Sequence, residues 1–167
     1  MTPKELACIH AEAMTVPAPW GEKDFADLFA TPGIFLTLTP SSGQKYPGGS
    51  VRGAKPPSPL ATAKAAQHLK GFALGRIILD EAELLTLAID PAHQRQGLGR
   101  CTLAEFEATA RDKGAGLAHL EVAATNQAAR TLYDSAGWTQ TGTRPAYYKA
   151  HPSRIDAILM SKRLDTP

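Results

Sequence analysis

A glycine-containing segment that follows an apolar run has the composition of a phosphate-binding loop. The run ends at Ile89, and the segment reads Gln94-Arg95-Gln96-Gly97-Leu98-Gly99-Arg100. Glycines at the start of a helix let a ligand approach the backbone closely, and the first amides of a helix have no intrahelical acceptor. These amides and the helix dipole bind phosphate oxygens. The segment is therefore a candidate diphosphate site, to which its two arginines add positive charge.

Three kinds of phosphate loop can be compared with this segment. A Walker A loop needs Gly-x4-Gly-Lys-Ser/Thr, which is absent. A dinucleotide fingerprint needs a third glycine where Thr102 stands, although Glu121 lies about 20 residues further on, as that fingerprint expects. That alternative stays open, but too little sequence follows for the rest of a doubly wound sheet. The acyl-CoA pattern Gln/Arg-x-x-Gly-x-Gly/Ala is matched in full.

Two further side chains are candidates for acid and base chemistry. Glu121 stands inside the apolar run 117–123, where period-2 alternation allows either a solvent-facing carboxylate or a functional one. Tyr133 lies on a helix that Asn126 opens, and it is either a proton donor or a half-buried packing residue. Asn126 itself has the residue type of a helix N-cap.

The composition is that of one globular domain spanning residues 1–167. Hydrophobic residues make up 43% and charged residues 20%, and the net charge of +2 gives no reason to expect a nucleic-acid partner. No apolar run is long enough for a membrane span, and the first residues lack the apolar segment of a secretory signal. We therefore expect a cytoplasmic protein. Cys8 and Cys101 are expected to be reduced, and the five histidines have no ligand spacing, so we expect no metal site.

Hydrophobic periodicity and capping signals predict a mixed order of elements around a long insertion. The predicted helices are 2–13, 22–30, 98–113 and 126–136. The predicted strands are 34–38, 72–79, 83–89, 117–123, 138–144 and 154–163, with a tyrosine-rich loop before the last. The Pro/Gly-rich stretch at about 40–68 contains basic residues and no acidic one. It is either a variable surface loop or a basic contact strip for an anionic partner.

Several further motifs accompany the loop and together carry a resemblance to a known family. They are Ile89-Asp90-Pro91, Leu120-Glu121-Val122, Thr125-Asn126, Leu132-Tyr133, Ala136-Gly137-Trp138, Tyr147-Tyr148, Asp156-Ala157-Ile158-Leu159-Met160 and, upstream, Pro19-Trp20. With these, residues 71–164 resemble the GCN5-related N-acetyltransferase superfamily, and within it the bacterial ribosomal-protein-alanine N-acetyltransferases. The loop alone indicates the superfamily. The Leu-Glu-Val motif and paired tyrosines are typical of members that acetylate N-terminal amines.

The resemblance implies a fold, a co-substrate and a set of contacts to that co-substrate. The fold is mixed α/β (α+β), with a mostly antiparallel central sheet flanked by helices and with splayed central strands. The co-substrate is acetyl-CoA, and no metal is involved. The residues expected to hold acetyl-CoA are Leu87, Ala88 and Ile89 through their backbone, and Gln94, Arg95, Gln96, Gly97, Leu98, Gly99, Arg100 and Asn126.

The resemblance also implies roles in catalysis and substrate binding. Glu121 is expected to deprotonate the amine, directly or through water, and Tyr133 to protonate the departing thiolate. Trp20, Tyr147 and Tyr148 are expected to line a peptide slot, although Trp20 could equally be a buried anchor. The sequence departs from the subgroup in having Ala146 and Lys149 around the tyrosines, where asparagine and proline are typical, and Ala123 after Leu-Glu-Val.

The acidity of the amine favours one class of substrate. An α-amine, with a pKa of about 7.7–8.0, is roughly 10–20% neutral at pH 7, whereas a lysine is only about 0.04% neutral. One carboxylate base suits the α-amine better. The hypothesis is therefore direct acetyl transfer in a ternary complex to a protein N-terminus, most naturally the N-terminal alanine of a small-subunit ribosomal protein. An acetyltransferase for a small-molecule amine, and a non-catalytic CoA-binding or ribosome-associated protein, remain as alternatives; the oligomeric state is open.

Overall fold

The computed structural model describes residues 1–39 and 70–164, so the predicted insertion at 40–68 lies outside the described residues. Within these two ranges four α-helices and six strands follow one another in the predicted order. The helices are α1 (Pro3–Ala13), α2 (Glu22–Phe29), α3 (Leu98–Asp112) and α4 (Gln127–Ser135). The strands are β1 (Ile34–Leu38), β2 (Gly71–Ile78), β3 (Glu81–Ile89), β4 (Leu117–Ala123), β5 (Thr139–Tyr148) and β6 (Ile155–Arg163). None of the described helices has the length and apolar character needed to cross a bilayer.

The helix starts follow from local capping chemistry. At α1, the Thr2 side chain accepts from the Glu5 amide and the Glu5 carboxylate accepts from the Thr2 amide, with Pro3 at the first helical position. At α4, the Asn126 Oδ1 accepts from the Ala129 amide at 3.1 Å. Both helices therefore begin where the sequence predicts.

The six strands form one sheet in the order β1-β2-β3-β4-β6-β5. All neighbouring pairs are antiparallel except β3–β4. One core cluster joins one face of the sheet to α3 and α4 through residues such as Phe106 and Trp138. A second cluster joins the other face to α1 and α2 through Leu6, Phe25 and Phe72. This architecture confirms the predicted mixed fold with a mostly antiparallel sheet.

A bulge in β3 separates the central strands. Leu74 pairs with Thr86 and Gly75 pairs with Leu84, so Leu85 is an extra residue in β3. The bulge reverses the alternation of β3, because Leu84 packs in the α3/α4 core and Ala88 packs in the α1/α2 core. Parallel pairing of β3 with β4 covers 81–84 and 117–120, so the strands part directly after the bulge. The expected splay is therefore present.

The predicted tyrosine-rich loop is wrong, because β5 continues through Tyr148 instead of ending near Arg144. Pro145 lies within this strand, which is tolerated because β5 is at the edge of the sheet. Ala146 has a left-handed φ of +50° in the irregular part of the β5–β6 pairing. Its amide donates to the Asp156 carboxylate at 2.7 Å and its carbonyl accepts from the Arg154 guanidinium at 2.9 Å. These two bonds hold the tyrosines within the strand.

Candidate active site

The parting of β3 and β4 opens a cleft of about 320 Å³, a size typical of ligand sites. Its walls come from α1, the α1–α2 connection, β3, the loop before α3, β4, α4 and the end of β5. It brings together ten predicted residues: Trp20, Leu87, Ile89, Gln94, Arg95, Gly99, Glu121, Asn126, Tyr133 and Tyr148. The candidate base and the candidate acid therefore lie on one cleft together with part of the predicted phosphate loop.

Six predicted residues do not line this cleft: Ala88, Gln96, Gly97, Leu98, Arg100 and Tyr147. The side chain of Ala88 is 1% exposed and packs in the α1/α2 core, so the structure leaves it only a backbone role. The Arg100 guanidinium instead donates to the Ser135 carbonyl at 3.2 Å on α4. Tyr147 is 45% exposed and stands outside the cleft. For these residues a contact to a ligand stays a prediction.

The loop between Ile89 and Leu98 consists of short turns that lead its backbone to the start of α3. The Asp90 carboxylate caps a short 3-10 turn by accepting from the Ala92 amide at 2.8 Å. The Gln94 side chain donates to the Ile89 carbonyl at 3.0 Å. Arg95 and Gly97 both have left-handed φ values, +61° and +80°, and left-handed residues occur in backbone concavities that bind anions.

Gly97 is the N-cap of α3, and a Cβ built there would meet no atom within 4 Å. The glycine is thus required by its φ and not by crowding from the protein. The space over its backbone is open, and the first amides of α3 have no intrahelical acceptor. This arrangement suits the oxygens of a diphosphate.

Tyr133 lies at the floor of the cleft, where it is 7% exposed. Burial raises the pKa of its phenol well above the ordinary value, and the neighbouring Tyr148 raises it further. Burial, followed by the charge of Glu121 and then Tyr147, raises the pKa of Tyr148 to about 12. Both phenols therefore keep their protons at every pH at which the protein would work.

Glu121 lies at the boundary between the cleft and a second cavity of about 310 Å³, which is lined mainly by residues of β3, β4, β5 and β6. Its side chain is 25% exposed, so the carboxylate is neither fully solvated nor sealed. Its Oε1 lies 3.2 Å from Nε of Arg144, an edge-strand residue that sequence reasoning missed. A carboxylate in this position can accept a proton from an amine in the cleft.

His10 was also missed, and it fixes one wall of the cleft. Its Nδ1 accepts from the Trp20 amide and its Nε2 lies 3.0 Å from the Thr86 hydroxyl. Since Nδ1 is the acceptor, the neutral tautomer donates from Nε2 to Thr86. Burial lowers its pKa to about 4, and its ring stacks on Trp20 at 5.1 Å. The helical spacing of His10 from Leu6, which is also fully buried, was the available signal.

The chain as a whole is similar to proteins of one known family. The model of the Acetyltransferase (GNAT) family matches residues 14–138. The chain is 33% identical over 155 residues to the [Ribosomal protein bS18]-alanine N-acetyltransferase of Escherichia coli K12, covering 93% of this chain and 88% of that protein.

Two solved structures resemble the fold. The crystal structure of the ribosomal-protein-S18-alanine N-acetyltransferase from Escherichia coli has a TM-score of 0.72 and 29% identity, over 96% of this chain and 86% of that one. A Salmonella typhimurium acetyltransferase structure with its cofactor acetyl-CoA has a TM-score of 0.55 and 27% identity, over 59% of this chain and 60% of that one.

Proposed function

Because the chain belongs to the acetyltransferase (GNAT) family, we propose that it transfers the acetyl group of acetyl-CoA to the N-terminal α-amine of a protein, with the N-terminal alanine of ribosomal protein bS18 as substrate. The observation that carries the proposal is the meeting of Glu121, Tyr133 and the phosphate loop on one cleft. The similarity to an enzyme named for bS18 supports the choice of substrate. A ribosomal substrate and acetyl-CoA both put the reaction in the cytoplasm.

The loop and the parted strands fit the two ends of acetyl-CoA. The first amides of α3, together with Arg95, would hold the diphosphate, and Arg100 would join them only after leaving the Ser135 carbonyl. The edge of β3 beyond Leu84 is not paired with β4, so its backbone groups on that side, apart from the Ile89 carbonyl that accepts from Gln94, would bond the amide-rich pantetheine arm. Asn126 uses Oδ1 for the helix cap, which leaves its side-chain N–H groups for the same arm. The thioester then reaches the level of Glu121 and Tyr133.

Glu121 prepares the nucleophile. The carboxylate accepts a proton from the α-ammonium, directly or through one water, and leaves a neutral amine. The amine nitrogen then attacks the thioester carbonyl carbon, so that a C–N bond forms while the carbonyl electrons move onto oxygen. Backbone amides on the free edge of β3 are placed to stabilise that oxygen.

Tyr133 completes the transfer. As the carbonyl re-forms, the C–S bond breaks and its electron pair stays on sulfur. A thiol has an ordinary pKa of about 8.5, well below that of the buried phenol, so full proton transfer from Tyr133 is uphill. Tyr133 therefore acts chiefly by donating a hydrogen bond to the departing thiolate. The nitrogen of the tetrahedral adduct loses the second ammonium proton, which the thiolate takes up to become the thiol, and the first proton passes from Glu121 to solvent.

Thiol release with a panel of amines tests this function. We expect CoA release with a peptide bearing the N-terminal residues of bS18, and little with lysine side chains or small polyamines. Glu121→Gln and Tyr133→Phe should each lower kcat by about 10²-fold or more, with the KM for acetyl-CoA nearly unchanged. Glu83→Gln, on a half-exposed strand glutamate paired with Arg76, is the matched control and should keep full activity.

Three outcomes of this panel contradict parts of the proposal. Release with small amines but not peptides would replace the proposed substrate. Binding of acetyl-CoA without release for any amine would indicate a non-catalytic protein. Full turnover in both variants would remove the roles given to Glu121 and Tyr133.

A further inference from the structure

Arg144 reaches the candidate base from two strands away, and the register of the sheet explains how. Arg144 on β5 pairs with Ala157 on β6, and Ala157 pairs with Ala123 on β4. Residues that pair across antiparallel strands point to the same face, and so do residues two apart on one strand. Arg144 and Glu121 therefore point to the same face of the sheet, about 12 Å apart at the backbone. The long arginine side chain crosses β6 to close that distance.

The contacts of the guanidinium are unlike those of a simple surface ion pair. Nε lies 3.2 Å from Oε1 of Glu121, and the guanidinium carbon lies 5.4 Å from the centre of the Tyr147 ring. Tyr147 in turn packs edge-on against Tyr148, with ring centres 5.0 Å apart. Tyr148 lines the cleft beside Glu121. Arg144 thus joins the carboxylate to the tyrosine pair that forms the neighbouring wall.

The position of Arg144 relative to the two cavities indicates from which side it contacts the Glu121 carboxylate. Glu121 borders both cavities, whereas Arg144 borders only the second one. The guanidinium therefore contacts Oε1 from the side of the second cavity and restricts rotation of the carboxylate. The other oxygen remains for the amine or for a water between them. The other ionisable side chains around the second cavity, Glu81, Glu83 and His119, lie further along β3 and β4, where His119 Nε2 is 3.4 Å from the Glu81 carboxylate.

We infer that Arg144 is a positioning residue of the acetyl transfer: it sets the orientation of the Glu121 carboxylate at the boundary of the two cavities. The inference rests on the proposed function, in which Glu121 takes the proton of the amine. Stability does not require such a pair, because an ion pair whose arginine is 55% exposed contributes little to folding. Its effect should be on turnover, through Glu121.

A double-mutant cycle with Glu121 is the test. Arg144→Ala should lower kcat about tenfold, while the KM values for acetyl-CoA and for the peptide change by less than about threefold. In the Glu121→Gln background the same change should have less than about a twofold effect, because the oriented group is already lost. Arg144→Lys should recover part of kcat, since an ammonium can pair with the carboxylate but not stack on Tyr147 as a guanidinium does.

The controls separate orientation from folding. Arg76→Ala removes a strand arginine paired with Glu83 on the same sheet, and it should leave kcat unchanged. All variants are checked by thermal unfolding; Arg144→Gln replaces the alanine variant if that one is poorly folded.

Two results overturn the inference while leaving the proposed function intact. One is an active wild type in which Arg144→Ala and Arg144→Gln both keep full kcat. The other is an equal loss of kcat in the wild-type and Glu121→Gln backgrounds, which would mean that Arg144 acts independently of the base. A wild type that releases no CoA with any amine overturns both proposals together.

Discussion

Acidification should destabilise the protein through His10 by an amount that follows from its burial. The pKa of this imidazole is lowered from 6.5 to about 4 in the folded protein. The unfolded chain therefore binds the proton more tightly, so the stability that His10 contributes is complete above about pH 6.5 and is lost as the pH falls towards 4. Linkage gives a loss of about 2 kcal/mol between pH 8 and pH 5.

Thermal unfolding of the wild type and of His10→Gln at several pH values measures this loss. For a chain of this size, 2 kcal/mol corresponds to about 4–8 °C in Tm. His10→Gln should melt below the wild type at pH 8, because it weakens the bonds to Trp20 and Thr86. The difference in Tm between the wild type and His10→Gln should then be smaller by those 4–8 °C at pH 5, because only the wild type loses stability through protonation of His10. His151→Gln, on an exposed histidine, is the control and should follow the wild type throughout.

A Tm difference between the wild type and His10→Gln that is the same at pH 8 and pH 5 would refute the reasoning. It would mean that His10 titrates alike in the folded and unfolded chain. The imidazole would then be open to water and could not hold the α1–α2 connection against β3.

Two remaining predictions concern the β5 tyrosine segment and the alkaline limit of activity. Ala146→Asn should raise the free energy of unfolding by about 0.5–1 kcal/mol in urea denaturation, because asparagine adopts a left-handed φ more readily than alanine; an unchanged or lower midpoint would contradict the strain at this position. Because the pKa of Tyr133 and of Tyr148 is raised, turnover should increase as the α-amine deprotonates and then stay level to about pH 10. A fall in kcat before pH 10, with the circular dichroism spectrum unchanged, would place a tyrosine pKa lower than the structure indicates.

The parts of the fold that local chemistry determines were predictable from the sequence. The capping box at Thr2, the asparagine cap at Asn126 and the glycine loop each act within a few residues, and the structure has them where the pattern indicates. The resemblance to the acetyltransferase family, drawn from that loop and the downstream motifs, is confirmed by the family match over 14–138. The role of each site residue stays a prediction.

The features that sequence reasoning missed depend on contacts between distant strands and helices. The β5 boundary was wrong because Pro145 and the tyrosines read as a loop, whereas the edge position and the bonds from Asp156 and Arg154 keep them in a strand. His10 reads as an unremarkable helical residue until Thr86, 76 positions away, is placed against it. Arg144 becomes relevant only through the register of three strands.

The extra residue at Leu85 has a consequence for how such a cleft can change. The opening is made by ending the β3–β4 ladder after 81–84, next to the extra residue. Moving the bulge by one position along β3 would keep the register with β2 on both sides of it, so only the residue that the bulge passes would change face. The ladder, and with it the depth of the opening, would change by about one residue, while the rest of both cores would keep its packing. Adaptation to a bulkier acyl group therefore has two routes, a shift of the bulge and a change of the side chains along the walls.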